Sequence, residues 1–203
     1  MRTVVKERPK SPQARLFVAL DVPEAIRAEI ARWQDATLGN DPALRPVRPE
    51  ALHMTLAFLG YLPEHEIEPA VAVVRQIQSR AVRIRLRPDP VPVPRGRPRL
   101  FAIDAESNGA VRLHEELSTQ LQAAHLYTPE KRPFWPHLTI ARVRSEAPGR
   151  RDPARVQHPP RALPAALEQP FGSVRITLYR SNLRPQGAEY VSLVNVELPP
   201  ERG

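Results

Sequence analysis

The 203-residue sequence contains no cysteine. Disulfide staples, thiolate metal sites and a cysteine nucleophile are therefore excluded, and the chain suits a reducing or an oxidising compartment alike. Long apolar runs are missing too. No stretch approaches the ~20 apolar residues that span a bilayer. The only apolar run after the basic beginning, 16–20, is too short for the core of a signal peptide. A cytoplasmic protein without membrane contact is the expectation. Nothing reads G-x-S-x-G, so a hydrolase serine lacks its usual turn. The paired histidines singled out below have no Asp, Glu or Cys at ligand spacing to complete a zinc shell. Neither a metal nor another cofactor is expected.

Lysine is scarce, and nearly all of the 30 basic residues are arginine, against 22 acidic ones. The net charge of +8 gathers in blocks at 2–15, 80–99 and 142–161. Such a balance suits a polyanionic partner, nucleic acid first; an arginine-rich proteome is the plainer reading. The 25 prolines stand far above the usual ~5% share and sit mainly between periodic segments, which implies short, stiff connections. With 41% apolar residues, the chain can bury one core, as a single domain or two small lobes sharing it.

Residues 1–14 are charged and aperiodic, the composition of a disordered basic arm. The run 15–21 reads as a strand, with Asp21 able to cap the helix that follows and Pro23 suited to its first turn. That helix, 24–38, turns Ile26, Ile30, Trp33 and Thr37 to one face. After an extended link at 45–49 come a strand at 53–61 and a helix at 64–79, with Pro69 confined to the first turns. Residues 81–87 alternate apolar with arginine, as a half-buried strand does. A proline-rich loop spans 88–98. The second half repeats the outline: strand 100–105, helix 109–125 with Val111, Leu117, Leu121 and Ala124 inward, an extended link, and a strand beginning at His137. A loop rich in Arg and Pro fills 144–160 as an insertion, and strands 172–180 and 188–198 close the fold. The class is α+β, built as one bilobal domain over 15–198 from duplicated strand–helix–strand halves.

Two tripeptides carry chemistry. His53-Met54-Thr55 and His137-Leu138-Thr139 both lie on predicted strands, where side chains at i and i+2 leave one face ~7 Å apart. With six His and seven Thr, chance gives roughly 0.2 H-x-T tripeptides, so a pair in duplicated context is a strong signal. Two imidazoles facing one cleft can pass a proton to a leaving oxygen and take one from water. The threonine hydroxyls can donate to phosphate oxygens as charge builds on them.

The runs LFVAL, HMTLAFLG, RPFWPHLTIAR and LYRSNL, the last followed by a Gly-x-x-Tyr, resemble the 2H phosphoesterase superfamily, and within it the bacterial and archaeal RNA 2′,3′-cyclic phosphodiesterases, once described as 2′-5′ RNA ligases. The similarity covers residues 15 to about 196. It implies a bilobal α+β fold with pseudo-two-fold symmetry, two antiparallel-sheet lobes and both H-x-T motifs in a central cleft. It implies a monomer that opens a terminal 2′,3′-cyclic phosphate of RNA, or of a nucleotide, to a 2′-phosphate without metal, and that can run 2′-5′ ligation in reverse. By that resemblance His53 is the proton donor and His137 the proton acceptor, while Thr55, Thr139 and Arg142 bind the phosphate. Strict alternation would turn Arg142 away from His137, so a bulge or strand end near Ala141 is needed to bring it back. Phe17 matches an aromatic that stacks on the terminal base, with core packing its other reading. Arg132 and Trp135 are candidates for RNA contact, against a solvated and a core role respectively. Two other classes remain open at this point: an RNA-binding module without chemistry, and a 2H enzyme acting on another cyclic nucleotide or RNA 3′ end.

Overall fold

The computed structural model describes residues 12–39, 41–147, 149–184 and 187–200. The expected arm at 1–14 falls outside them up to residue 11. Gln13 and Ala14, however, already belong to the first strand, and Ala14 is buried in the core.

The elements alternate in two similar runs. The first is β1 (Gln13–Asp21), α1 (Glu24–Leu38), the short strand β2 (Leu44–Pro46) and β3 (His53–Pro63). After α2 (Ile67–Arg75) and β4 (Val82–Val93) comes the second run, β5 (Leu100–Glu106), α3 (Asn108–Ala123) and β6 (His137–Val143). Then β7 (Phe171–Ser173), β8 (Arg175–Arg184) and β9 (Gly187–Glu197) complete two antiparallel sheets, ordered β3-β1-β8-β9 and β2-β6-β5-β4-β7. One contiguous apolar core joins them, built from the inward residues of the strands and from Ile30, Val74, Leu113, Leu117 and Leu121 of the helices. The H-x-T strands β3 and β6 lie against one another where the sheets meet.

Several boundaries differ from expectation for identifiable reasons. Asp21 does not cap α1. The position before the helix is Pro23, which makes no side-chain cap bond, and the Asp21 carboxylate turns to the neighbouring strand. The second helix stops at Arg75 and is entered through a single tight turn, Glu64–Glu66. The face that α3 buries is Ala110, Leu113, Leu117 and Leu121; Val111 is half-buried and Ala124 exposed. Its start is fixed by Ser107, whose hydroxyl accepts from the Ala110 N–H. The proline-rich segment expected as a loop from 88 continues β4 as far as Val93. Proline is tolerated where a strand needs a partner on one side only. Here β7 pairs only with Val82–Ile84, leaving the rest of β4 to β5 alone.

The described residues of 144–160 carry no helix or named strand and are held by Asp41. This buried carboxylate accepts from the N–H groups of Gln157 (2.7 Å), His158 (2.8 Å) and Ala43 (2.9 Å). Burial opposes its charge, but the three N–H donors prevail and keep the carboxyl below its usual range.

Candidate active site

Each H-x-T strand pairs with the first strand of its own half in the same register. Asp21 faces His53, Leu20 faces Met54 and Ala19 faces Thr55. Asp104 faces His137, Ile103 faces Leu138 and Ala102 faces Thr139. In both pairs the next residue is extra. Val18 pairs with Ala57, leaving Leu56 as a bulge, and Phe101 pairs with Ala141, leaving Ile140 as a bulge. A bulge moves every later side chain to the other face. Phe58 and Arg142 therefore return to the face of the histidines, and the bulge that an inward Arg142 requires is present.

The helix of each half secures the bulge of the other half. The buried Gln34 of α1 donates to the Ile140 carbonyl at 2.7 Å, and that oxygen also accepts from the Val47 N–H at 2.9 Å. His114 of α3 bonds through Nδ1 to the Leu56 carbonyl at 2.8 Å, with its ring stacked on Phe134, centroids 4.2 Å apart. Without those side chains the Leu56 carbonyl would lose its donor, and the Ile140 carbonyl would keep only the Val47 N–H. Further along β3 a second bulge at Leu59 is relieved by Gly60, whose φ of 75° suits glycine.

The two imidazoles are oriented alike. His53 Nδ1 lies 2.7 Å from the Ala51 carbonyl, and His137 Nδ1 lies 2.8 Å from the Trp135 carbonyl. A carbonyl only accepts, so Nδ1 carries the proton and the neutral ring presents Nε2 as a base. His53 Nε2 is 3.1 Å from the Thr55 hydroxyl. Both rings, Thr55 and Thr139 are half-buried.

Their surroundings differ. Burial lowers the His53 pKa to about 4; the Ala51 carbonyl and Asp21 work against this, and the nearby charges of Arg142 and His137 add to it. Burial also lowers His137, but the groups acting back on it are the Trp135 carbonyl and two carboxylates, Asp104 and Glu130. Arg142 and His137 both act on His53, which places the three in one electrostatic neighbourhood.

Asp21 accepts from the Tyr179 hydroxyl (2.8 Å), the Thr177 hydroxyl (3.0 Å) and the Arg175 guanidinium. Burial, and then the charge of Asp21, push Tyr179 up to about 12, so it stays a donor. Asp104 accepts from the Trp135 indole N–H at 2.9 Å, and that indole stacks on His137 with centroids 4.1 Å apart. Trp135 thus braces the second histidine. Phe17 is only 3% exposed, enclosed by His53, Tyr179 and Tyr190 at 4.9, 5.2 and 4.9 Å. It forms the floor beneath those rings rather than an open stacking surface. Arg132 projects outward, its side chain 85% exposed and paired with Glu130. The sequence reading missed Asp21 as a site residue, and with it Asp104, Tyr179, Gln34 and His114. The repeated Ala19-Leu20-Asp21 and Ala102-Ile103-Asp104 were the signal that could have found the aspartates.

Among the described residues no three His, Asp or Glu side chains gather as a metal ion needs, and no helix is long and apolar enough to cross a membrane.

A model of the 2′-5′ RNA ligase superfamily matches residues 22–181. The chain belongs to that superfamily. It is 32% identical to an RNA 2′,3′-cyclic phosphodiesterase of Thermus thermophilus, over 93% of this chain and 92% of the relative. A protein of the same name from Methanocaldococcus jannaschii is 29% identical, over 87% and 96%. Among solved structures, TT0787 of Thermus thermophilus superposes with a TM-score of 0.73 at 31% identity, covering 93% of this chain and all of that one. Escherichia coli LigT complexed with 3′-AMP gives 0.70 at 26% identity, covering 92% and 99%. The 2H phosphoesterase fold expected from the motifs is the fold these relatives share.

Proposed function

We propose that this protein is an RNA 2′,3′-cyclic phosphodiesterase that opens a terminal cyclic phosphate to a 2′-phosphate by two-histidine acid–base catalysis without metal. The observation that carries the reading is the unequal setting of two equally oriented imidazoles. At His53 burial, joined by the charges of Arg142 and His137, outweighs the Ala51 carbonyl and Asp21, so it is the weaker base, hence the stronger acid once protonated. His137 has carboxylates for neighbours and is the better proton acceptor. The relatives named above supply the substrate class.

The step balances as follows. Neutral His137 takes a proton from water through Nε2 as the water oxygen bonds to phosphorus. The P–O3′ bond breaks, and O3′ receives the proton on Nε2 of His53. The product is a 2′-phosphate with a free 3′-hydroxyl, and solvent exchange restores the two rings. Thr55 and Thr139 donate to the non-bridging oxygens, and Arg142 offsets the charge that develops there. Both rings are neutral in the free protein near pH 7, so His53 acquires its proton with the substrate, whose phosphate charge favours the imidazolium. A 5′-hydroxyl of RNA attacking in place of water gives a 2′-5′ linkage, which is the ligation direction.

The test is incubation of an oligonucleotide ending in a 2′,3′-cyclic phosphate, with and without EDTA, followed by mapping of the product. A 2′-phosphate formed equally in both is expected. Chelator-sensitive turnover would remove the metal-free mechanism, and a 3′-phosphate product would reverse the roles of the leaving oxygens.

A further inference from the structure

Beyond the histidines, the face of the second sheet that carries His137 also carries an arginine pair whose arrangement the core does not explain. Arg45 on β2 is the direct cross-strand partner of Arg142 on β6. Partners in an antiparallel pair share a face, so Arg45 points the same way as Arg142, and Arg144 follows two residues later. Like charges placed directly opposite destabilise a sheet. Nearby arginines on the first sheet are neutralised: Arg175 by Asp21, Arg180 by Glu64 and Arg184 by Glu189. Among the described residues no carboxylate lies within ion-pair distance of Arg45, Arg142 or Arg144.

Arg45 is half-buried, and burial together with Arg142, Arg144 and Arg48 works against its charge, with no acidic group offsetting them. Its guanidinium lies against Gly187 at the start of β9, where a Cβ would sit 3.7 Å from Nη1. The head group thus lies beside the start of β9, a strand of the other sheet. A cation kept half-buried beside three others lacks only an anion.

We propose that Arg45, with Arg144, forms a second phosphate site beside Arg142, taking the phosphate on the 5′ side of the nucleoside that bears the cyclic phosphate. This rests on the proposed function, with Arg142 on the scissile phosphate. A 2′,3′-cyclic phosphate ends its strand, so any further phosphate of the substrate lies 5′ to it. Neighbouring strands are ~4.8 Å apart, a short step from the first phosphate contact to the next. The ligand group is an internal phosphodiester or a 5′-phosphate monoester, and its recognition makes a strand end a better substrate than a bare cyclic nucleoside phosphate.

Three substrates separate these sources: a nucleoside 2′,3′-cyclic phosphate with a free 5′-hydroxyl, the same with a 5′-phosphate, and a dinucleotide ending in the cyclic phosphate. Wild type is expected to favour the dinucleotide over the first by about tenfold in kcat/KM. A matching gain for the 5′-phosphate would mean that a monoester suffices; no gain there would assign the site to the diester. In Arg45→Gln the ratio falls towards one, while Arg45→Lys keeps most of it. An unchanged ratio in Arg45→Gln, or no preference in wild type, overturns the proposal. The melting temperature of Arg45→Gln should stay the same or rise, since a repulsion is removed, and a clear fall would mark Arg45 as structural and sink the site. Should none of the three substrates turn over, the proposed function fails by itself. Binding of a 3′-phosphorylated oligonucleotide then still reads on Arg45: the log–log salt slope is expected to drop by about one in Arg45→Gln. An identical slope would refute the site.

Discussion

The two H-x-T halves share a scaffold but not an environment. Register, bulge position, Nδ1–carbonyl bond and helix-borne support coincide between His53 and His137. The side chains added to that frame do not. The position three residues past the threonine is Phe58 in the first half and Arg142 in the second, and the paired aspartate is held by Arg175, Thr177 and Tyr179 in one and by Trp135 in the other. The scaffold orients both rings alike, and in the proposed mechanism their neighbours set which gives and which takes a proton.

The strongest way to break the pairing is to remove either ring. His53→Ala and His137→Ala should each cost about 10²–10⁴-fold in kcat on a cyclic-phosphate oligonucleotide. The double variant should be little worse than either single one, because the two groups act as a unit. Additive losses, measured as kcat/KM, would mean that they act separately.

Swapping the unlike position sharpens the contrast. Arg142→Gln should lower kcat/KM about 10–100-fold and raise the His53 pKa, since a repelling cation is gone. The acid limb of the pH–rate profile then moves to higher pH. Phe58→Leu, on the opposite half, should leave that limb where it is. Equal shifts in the two variants would erase the proposed division.

Smaller effects are expected from the bulge supports. His114→Leu removes the donor to the Leu56 carbonyl, at a cost of about 1–3 kcal/mol in unfolding free energy. Gln34→Leu leaves the Ile140 carbonyl its Val47 N–H and costs about 0.5–1.5 kcal/mol. Of the two, Gln34→Leu should also reduce activity, because the Ile140 bulge aims Arg142. Denaturant melts and kcat/KM on the same samples check this.

A pH effect on stability, of similar size at most, is spread over more than two pH units. The folded pKa of His53, about 4, lies below its unfolded value near 6.5. The unfolded chain therefore binds the extra proton between these values, and stability is lost as pH falls from 6.5 towards 4, by at most about 3 kcal/mol. His53→Asn should flatten that slope in melts run across the window.

Local pattern made the strand–helix order and both H-x-T motifs legible, because period-two and period-3.6 spacing are properties of adjacent residues. Helix 24–38 was read to its ends. What pairing across the chain determines was harder to see. Asp21 looked like a cap because it stands before a proline and a helix; only its place opposite His53 gives it another role. The β4 prolines looked like a loop because the sequence does not say which strand edges go unpartnered. His114 and Gln34 looked like ordinary helix residues, since a carbonyl 58 or 106 residues away leaves no local mark. The Arg142 bulge was required by the chemistry before its position was visible.

The division of labour is tested most directly by titrating the two imidazoles in the free protein by nitrogen-15 NMR, assigned through His53→Ala and His137→Ala. His53 should titrate near 4 and His137 above it, with both Nδ1 atoms protonated in the neutral rings. The opposite order, or two unshifted rings near 6.5, would contradict the assignment of donor and acceptor.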